Sequence, residues 1–159
     1  GSQSLTVELQ QMDTLKSTMD DVDGAMMLGE DSIGKRYDSM DVKLKLILAA
    51  IPDTGKSELH NTIVRFSAIK DNYAMVLKDY PVLSYDVDQE KEDVKVLNQA
   101  LLGHEVPADV FESRYHKERA DLAMLKKRIE TINYSTYAME QDYKRTSEAL
   151  NPLYNKLKK

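Results

Sequence analysis

Apolar residues recur along the first third of the chain at spacings of three and four. Such spacings place their side chains on one face of an α-helix. The pattern predicts one long helix over residues 5–51. The pattern is weakest over residues 23–35, which contain three glycines. We expect a kink, a fray or a short break there. Pro52 is expected to stop the helix. The predicted buried stripe is Leu5, Leu9, Met12, Leu15, Met19, Val22, Met26, Ile33, Tyr37, Met40, Leu44, Ile47 and Ile51.

The middle of the chain predicts two shorter helices. The first is expected to begin near Ser57, which is a suitable N-cap, and to end at Pro81. Residues 81–88 are then expected to form a turn or an extended connector. A second short helix is predicted over residues 89–102, and Gly103 is a favourable residue for ending it.

The last third predicts another long helix. Pro107 suits its first turn, and Pro152 is expected to bend or end it before the basic tail at residues 155–159. Two polar residues, Glu118 and Thr146, fall on the apolar stripe, where polar residues can fix the register between helices. The other members of the stripe are Phe111, Tyr115, Leu122, Leu125, Ile129, Ile132, Thr136, Met139, Tyr143, Leu150 and Leu153 or Tyr154.

These elements predict an all-α fold, namely an elongated antiparallel four-helix bundle with two long and two short helices. The alternative is a three-helix bundle in which the two short helices form a broken middle leg. We expect residues 1–159 to form one domain. Gly1 and Ser2 resemble the scar of a cleaved tag, so residues 1–3 are expected to lie outside the fold and to be disordered.

The amino-acid composition excludes several kinds of site and disfavours one class of partner. The chain has no cysteine, which excludes disulfides, thiolate metal sites and a catalytic cysteine. Its net charge of −5 argues against general nucleic-acid binding. Charge is unevenly spread, because residues 1–34 hold seven acidic residues and one basic residue, whereas residues 112–159 hold eleven basic and seven acidic residues. This asymmetry favours pairing of the first and last helices in antiparallel orientation.

No apolar run approaches the ~20 residues that a membrane-spanning helix needs. We therefore expect no membrane insertion of this segment, although it is compatible with the soluble part of a membrane-anchored protein. The sequence is compatible with either a cytoplasmic or an extracytoplasmic location.

A relaxed phosphate-loop pattern spans residues 50–57, from Ala50 to Ser57. In that interpretation Lys56 would contact phosphates and Ser57 would bind magnesium. A phosphate loop follows a buried strand, yet the helical repeat continues through Ile47 and Ile51. The favoured interpretation is a corner between two helices, and nucleotide binding is a remote alternative.

The histidines do not predict a metal site. His60, His104 and His116 are dispersed and form no Glu-x-x-His or His-Glu-x-x-His motif. His116 follows Glu112 by one helical turn, which predicts a surface pair. No nucleophile motif is present either. We therefore expect no catalytic residues, no metal and no cofactor, and hence no enzyme.

The sequence favours a structural or interaction module that binds a protein partner or a second copy of itself. The alternative is an extracytoplasmic ligand-sensing or cell-envelope domain of the lipoprotein type, which rests on architecture alone. Methionine on the first stripe serves either as core filling or as an adaptable binding surface, with core filling favoured. Tyrosines that leave the last stripe are candidates for an exposed strip. The candidate partner-binding residues are Met19, Met26, Met27, Tyr134, Tyr137 and Tyr154.

Overall fold

The computed structural model describes residues 2–27, 33–51 and 60–158, and these residues form four α-helices and no strand. The predicted all-α fold with two long and two short helices is therefore confirmed. The helices are α1 (Ser2–Met27), α2 (Ile33–Ala50), α3 (His60–Leu102) and α4 (Ala108–Lys158).

The long helices are not the two that were predicted, because the first two helices are short and the last two are long. The predicted first long helix corresponds to α1 and α2, which have 26 and 18 residues. Residues 28–32 lie outside the described residues, so the kind of interruption expected over 23–35 stays a prediction. The two long helices are α3, with 43 residues, and α4, with 51.

The predicted break at Pro81 is wrong. Helix α3 continues through Pro81, whose side chain is exposed. Buried residues follow the same spacing of three and four on both sides of Pro81, so one continuous helix keeps all of them on one face. Burial along this face outweighs the hydrogen bond that a proline removes from a helix interior. The buried positions are Tyr73, Val76, Tyr80, Leu83, Val87, Glu90, Val94, Leu97 and Leu101.

Helix α4 also continues past Pro152 to Lys158, so an end at Pro152 is wrong, whereas a bend there stays a prediction. The corner between α3 and α4 lies where the sequence places it. The amide of Glu105 donates to the carbonyl of Ala100 over 2.9 Å, and His104 takes the left-handed conformation with a φ of 53°. The amide of Phe111 donates to the carbonyl of Pro107, which starts α4.

The helices contribute to two compact units. The first unit consists of α1 with residues 81–131 of α3, the corner and α4. Within it, Asp86 pairs with Arg128 and Glu90 lies against Glu118, so rising residue numbers in α3 meet falling numbers in α4. These two segments are therefore antiparallel. Helix α1 contacts α3 through Asp23, whose carboxylate lies 2.9 Å from Lys91 Nζ. The predicted antiparallel pairing of the first helix with the basic end of the last helix stays a prediction, because residues 132–158 belong to the second unit.

The second unit consists of α2 with residues 60–80 and 132–158. Helix α2 touches both neighbours, because Lys70 of α3 lies 2.6 Å from Asp41 and Lys43 donates to Asn151 of α4 over 3.4 Å. Phe66 of α3 stacks on Tyr143 of α4 with their ring centroids 6.2 Å apart. Each unit thus has a core built from three helical segments.

No helix in the described part of the chain combines the length and hydropathy that would carry it across a bilayer.

Candidate functional site: a buried acidic cluster and an exposed tyrosine pair

Three carboxylates meet in the first unit, where α3 packs on α4. Glu90 comes from α3, and Glu118 and Asp121 come from α4. One carboxylate oxygen of each residue lies within 4.8 Å of the corresponding oxygens of the other two. We call these three residues the acidic cluster.

Helical spacing explains how the acidic cluster forms. Glu90 lies on the buried face of α3 between Val87 and Val94, and Glu118 lies on the buried face of α4 between Tyr115 and Leu122. Asp121 follows Glu118 by three residues, so both point to the same side of α4. The packing of the two buried faces therefore brings the glutamates together.

Burial makes the acidic cluster unusual. The exposed fraction is only 5% for Glu90 and 3% for Glu118. Glu90 Oε1 and Glu118 Oε2 are buried with no hydrogen-bond partner among the described residues. Charged residues are almost never fully buried unless they are paired, because burial of a charge costs several kcal/mol.

One cation lies at the edge of the acidic cluster. Lys117 Nζ is 3.8 Å from Glu118 Oε1 and 3.4 Å from Asp121 Oδ2. The Lys117 side chain is mostly exposed, and these two acidic neighbours, Glu118 above all, raise its pKa. This exposed ammonium cannot neutralise three carboxylates.

The protonation of Glu90 reflects this excess of negative charge. Burial, followed by the hydrogen bond and charge of Glu118, raises the pKa of the Glu90 carboxyl to about 9. The charges of Asp121 and Asp93 raise this pKa further. At neutral pH Glu90 therefore holds a proton.

The sequence pointed to one of the three residues of the acidic cluster, Glu118. The predictions that Glu118 and Thr146 lie on the stripe of α4 are confirmed, since both are buried. The short helix predicted over residues 89–102 instead places Glu90 in its first turn. Its position between Val87 and Val94 becomes visible only when the three-four spacing is carried through Pro81.

The candidate partner-binding residues fall into three groups. Met19 and Met26 are buried in the core of the first unit, which favours core filling over a binding surface. The side chains of Met27 and Tyr154 lie outside those that the structure describes. Among the candidates whose side chains are described, Tyr134 and Tyr137 are the exposed ones.

Tyr134 and Tyr137 form the exposed tyrosine pair of the second unit. Their exposed fractions are 75% and 61%. A separation of three residues makes them neighbours on the surface of α4. In the same unit, α2 exposes Val42 and Leu46 at a separation of four residues. The second unit therefore carries apolar surface that its own core does not use.

The remaining sequence motifs add no site. Lys56 and Ser57 lie outside the described residues, so the phosphate-loop interpretation has no direct test there. The strand that it requires before the loop is not found, because residues 33–50 form α2. The predicted surface pair is confirmed, with His116 Nε2 3.3 Å from Glu112 Oε1.

Comparison of the chain with protein families, with curated proteins and with solved structures gave no match.

Proposed function

We propose that this protein is a non-enzymatic helical interaction module that associates with a second copy of itself. The observation that carries the proposal is the exposed tyrosine pair on α4. Tyrosine is enriched at protein interfaces because its ring buries a large area while its hydroxyl keeps a hydrogen-bond partner.

Charge supports a second copy as the occupant of this surface. The exposed acidic residues of α1 include Asp13, Asp20 and Asp21, whereas α4 exposes Lys127 and Arg145. A chain with an acidic first helix and a basic last helix is complementary to its own copy. The attraction between these regions offsets the repulsion expected between two chains that each carry a net charge of −5.

Sedimentation equilibrium over a hundred-fold range of protein concentration tests the proposal. We expect the mass to rise from that of one chain, 18.1 kDa, towards twice that value, and to fall back in high salt. Replacing both tyrosines, Tyr134→Ser with Tyr137→Ser, is expected to shift the equilibrium to the monomer. Tyr85→Ser is the matched control, because Tyr85 is also an exposed tyrosine within a helix.

Two results would contradict the proposal. The first is a monomer at every concentration in low salt. The second is self-association that the double tyrosine variant leaves unchanged. A monomer that instead captures an unrelated protein through the tyrosines would replace self-association by binding to a different partner.

A further inference from the structure

We propose that Glu90, Glu118 and Asp121 form a binding site for one hard divalent cation. The first observation is the geometry of the acidic cluster, in which two helices bring three carboxylate oxygens within 4.8 Å of one another. The second is that Glu90 Oε1 and Glu118 Oε2, on side chains at least nine-tenths buried, lack hydrogen-bond partners among the described residues. A buried oxygen that has no hydrogen-bond partner in the protein is expected to contact another group, and a bound cation is such a group.

The class of cation follows from the donor atoms. All three donors are carboxylate oxygens, with no imidazole in the cluster and no thiol anywhere in the chain. Oxygen-only sites suit Mg²⁺, Mn²⁺ and Ca²⁺, whereas zinc prefers nitrogen and sulfur ligands. Oxygen ligands lie ~2.4 Å from a Ca²⁺ ion, so two of them are at most ~4.8 Å apart, and the three oxygens fall within this limit.

Charge and access agree with this assignment. Three ionised carboxylates beside Lys117 carry an excess of two negative charges, which one divalent cation neutralises. Asp121 is only half-buried and gives the ion a path from solvent. Three protein oxygens leave further coordination positions for water, as Mg²⁺ and Mn²⁺ sites commonly require.

A proton and the cation compete for the same carboxylates. The raised pKa of Glu90 means that a proton partly neutralises the acidic cluster in the cation-free protein at neutral pH. Cation binding releases that proton, so the apparent affinity increases as pH rises towards 9.

The test uses the full chain after chelator treatment. MnCl₂, CaCl₂ and MgCl₂ are added separately while the melting temperature is recorded, and bound Mn²⁺ is counted by electron paramagnetic resonance. We expect at least one cation to raise the melting temperature with increasing concentration, because ligands of the folded state stabilise it. Mn²⁺ is expected to bind at one site per chain.

Isosteric variants identify the ligands. Glu118→Gln and Glu90→Gln each remove a carboxylate while keeping the shape of the side chain. We expect each variant to bind Mn²⁺ at least ~10-fold more weakly, because loss of a residue that only supports a metal ligand already lowers metal affinity by about that factor. Glu130→Gln is the matched control, because Glu130 is an exposed glutamate of α4, and it should bind as the parent does. Asp121→Asn at the half-exposed position tests the same site if a buried variant does not fold.

The proposal is overturned if none of the three cations raises the melting temperature of the parent protein. It is also overturned if the variants and the control bind Mn²⁺ equally. A third contrary result is that Glu90→Gln stabilises the protein while no cation has an effect, because the acidic cluster would then be only a carboxyl pair that shares a proton.

Discussion

Glu90 of α3 and Glu118 of α4 bring carboxyl oxygens within 4.8 Å of each other inside the first unit, and both side chains are buried. Two buried carboxylates this close repel each other unless a proton neutralises one of them. This relationship links the packing of the two longest helices to pH. The groups that act on Glu90 are Glu118, Asp121 and Asp93, and Lys117 lies beside the first two.

Stability is expected to fall as pH rises from about 5 to about 9. The pKa of Glu90 is raised from 4.5 to about 9, so in this window the folded state keeps a proton that the unfolded state releases. Glu90→Gln stays neutral and should show a flatter profile, with higher stability than the parent at pH 8. Urea unfolding at several pH values measures this, and Glu92→Gln is the exposed control on α3. Parallel profiles for parent and Glu90→Gln would argue against a buried proton.

Pro81→Ala is expected to stabilise the protein by about 1–3 kcal/mol. Alanine restores the backbone donor missing from the interior of α3 and removes the ring that crowds the preceding turn. The gain is reduced because alanine leaves the unfolded chain more freedom. The urea midpoint measures the change, with Lys78→Ala as an exposed control on the same helix. An unchanged or lower midpoint would mean that the helix tolerates proline here without strain.

Leu122→Ala and Met124→Ala form a matched pair on α4. Leu122 is fully buried beside Glu118, so its truncation is expected to cost about 2–5 kcal/mol. Met124 is exposed two residues later, and its truncation should change the free energy of unfolding by less than about 0.5 kcal/mol. Chemical unfolding measures both. Equal costs would show that α4 packs in a different register.

His104→Gly is expected to stabilise the corner between α3 and α4 by about 0.5–1 kcal/mol. The left-handed backbone of His104 costs a residue with a Cβ about 1–2 kcal/mol, and glycine avoids this cost at the expense of a more flexible unfolded chain. His104→Ala keeps the Cβ and serves as the control. If both variants unfold at the same denaturant concentration, the strain is not relieved by removing the Cβ.

The sequence predicted the helical class and most of the buried faces, because burial follows the three-four spacing. Met12, Leu15 and Met19 of α1 are buried as expected, and so are Met40 and Ile47 of α2. Agreement was poorer near the edges of the stripes, where Leu9 is exposed. Spacing defines the centre of a face better than its width.

The sequence-based prediction was wrong where the local effect of a proline opposed the packing of the whole helix. Proline predicts a helix boundary from its immediate neighbours, whereas the continuity of α3 depends on apolar contacts made on both sides of Pro81. The same error hid Glu90, since a helix that begins at residue 89 places it in an exposed first turn. Glu118 was visible because no proline interrupts the stripe around it.

The division into units has a consequence for the order of folding. Residues 81–131 form a hairpin in which the short corner at residues 103–107 joins α3 to α4. Helix α1 joins that hairpin through Asp23 and Lys91, which are 68 residues apart in the chain. Closing the longer loop costs more entropy, so the hairpin is expected to form early and α1 to dock late. We therefore expect undocking of α1, which exposes its buried methionines Met12, Met19 and Met26, to precede any separation within the hairpin during unfolding.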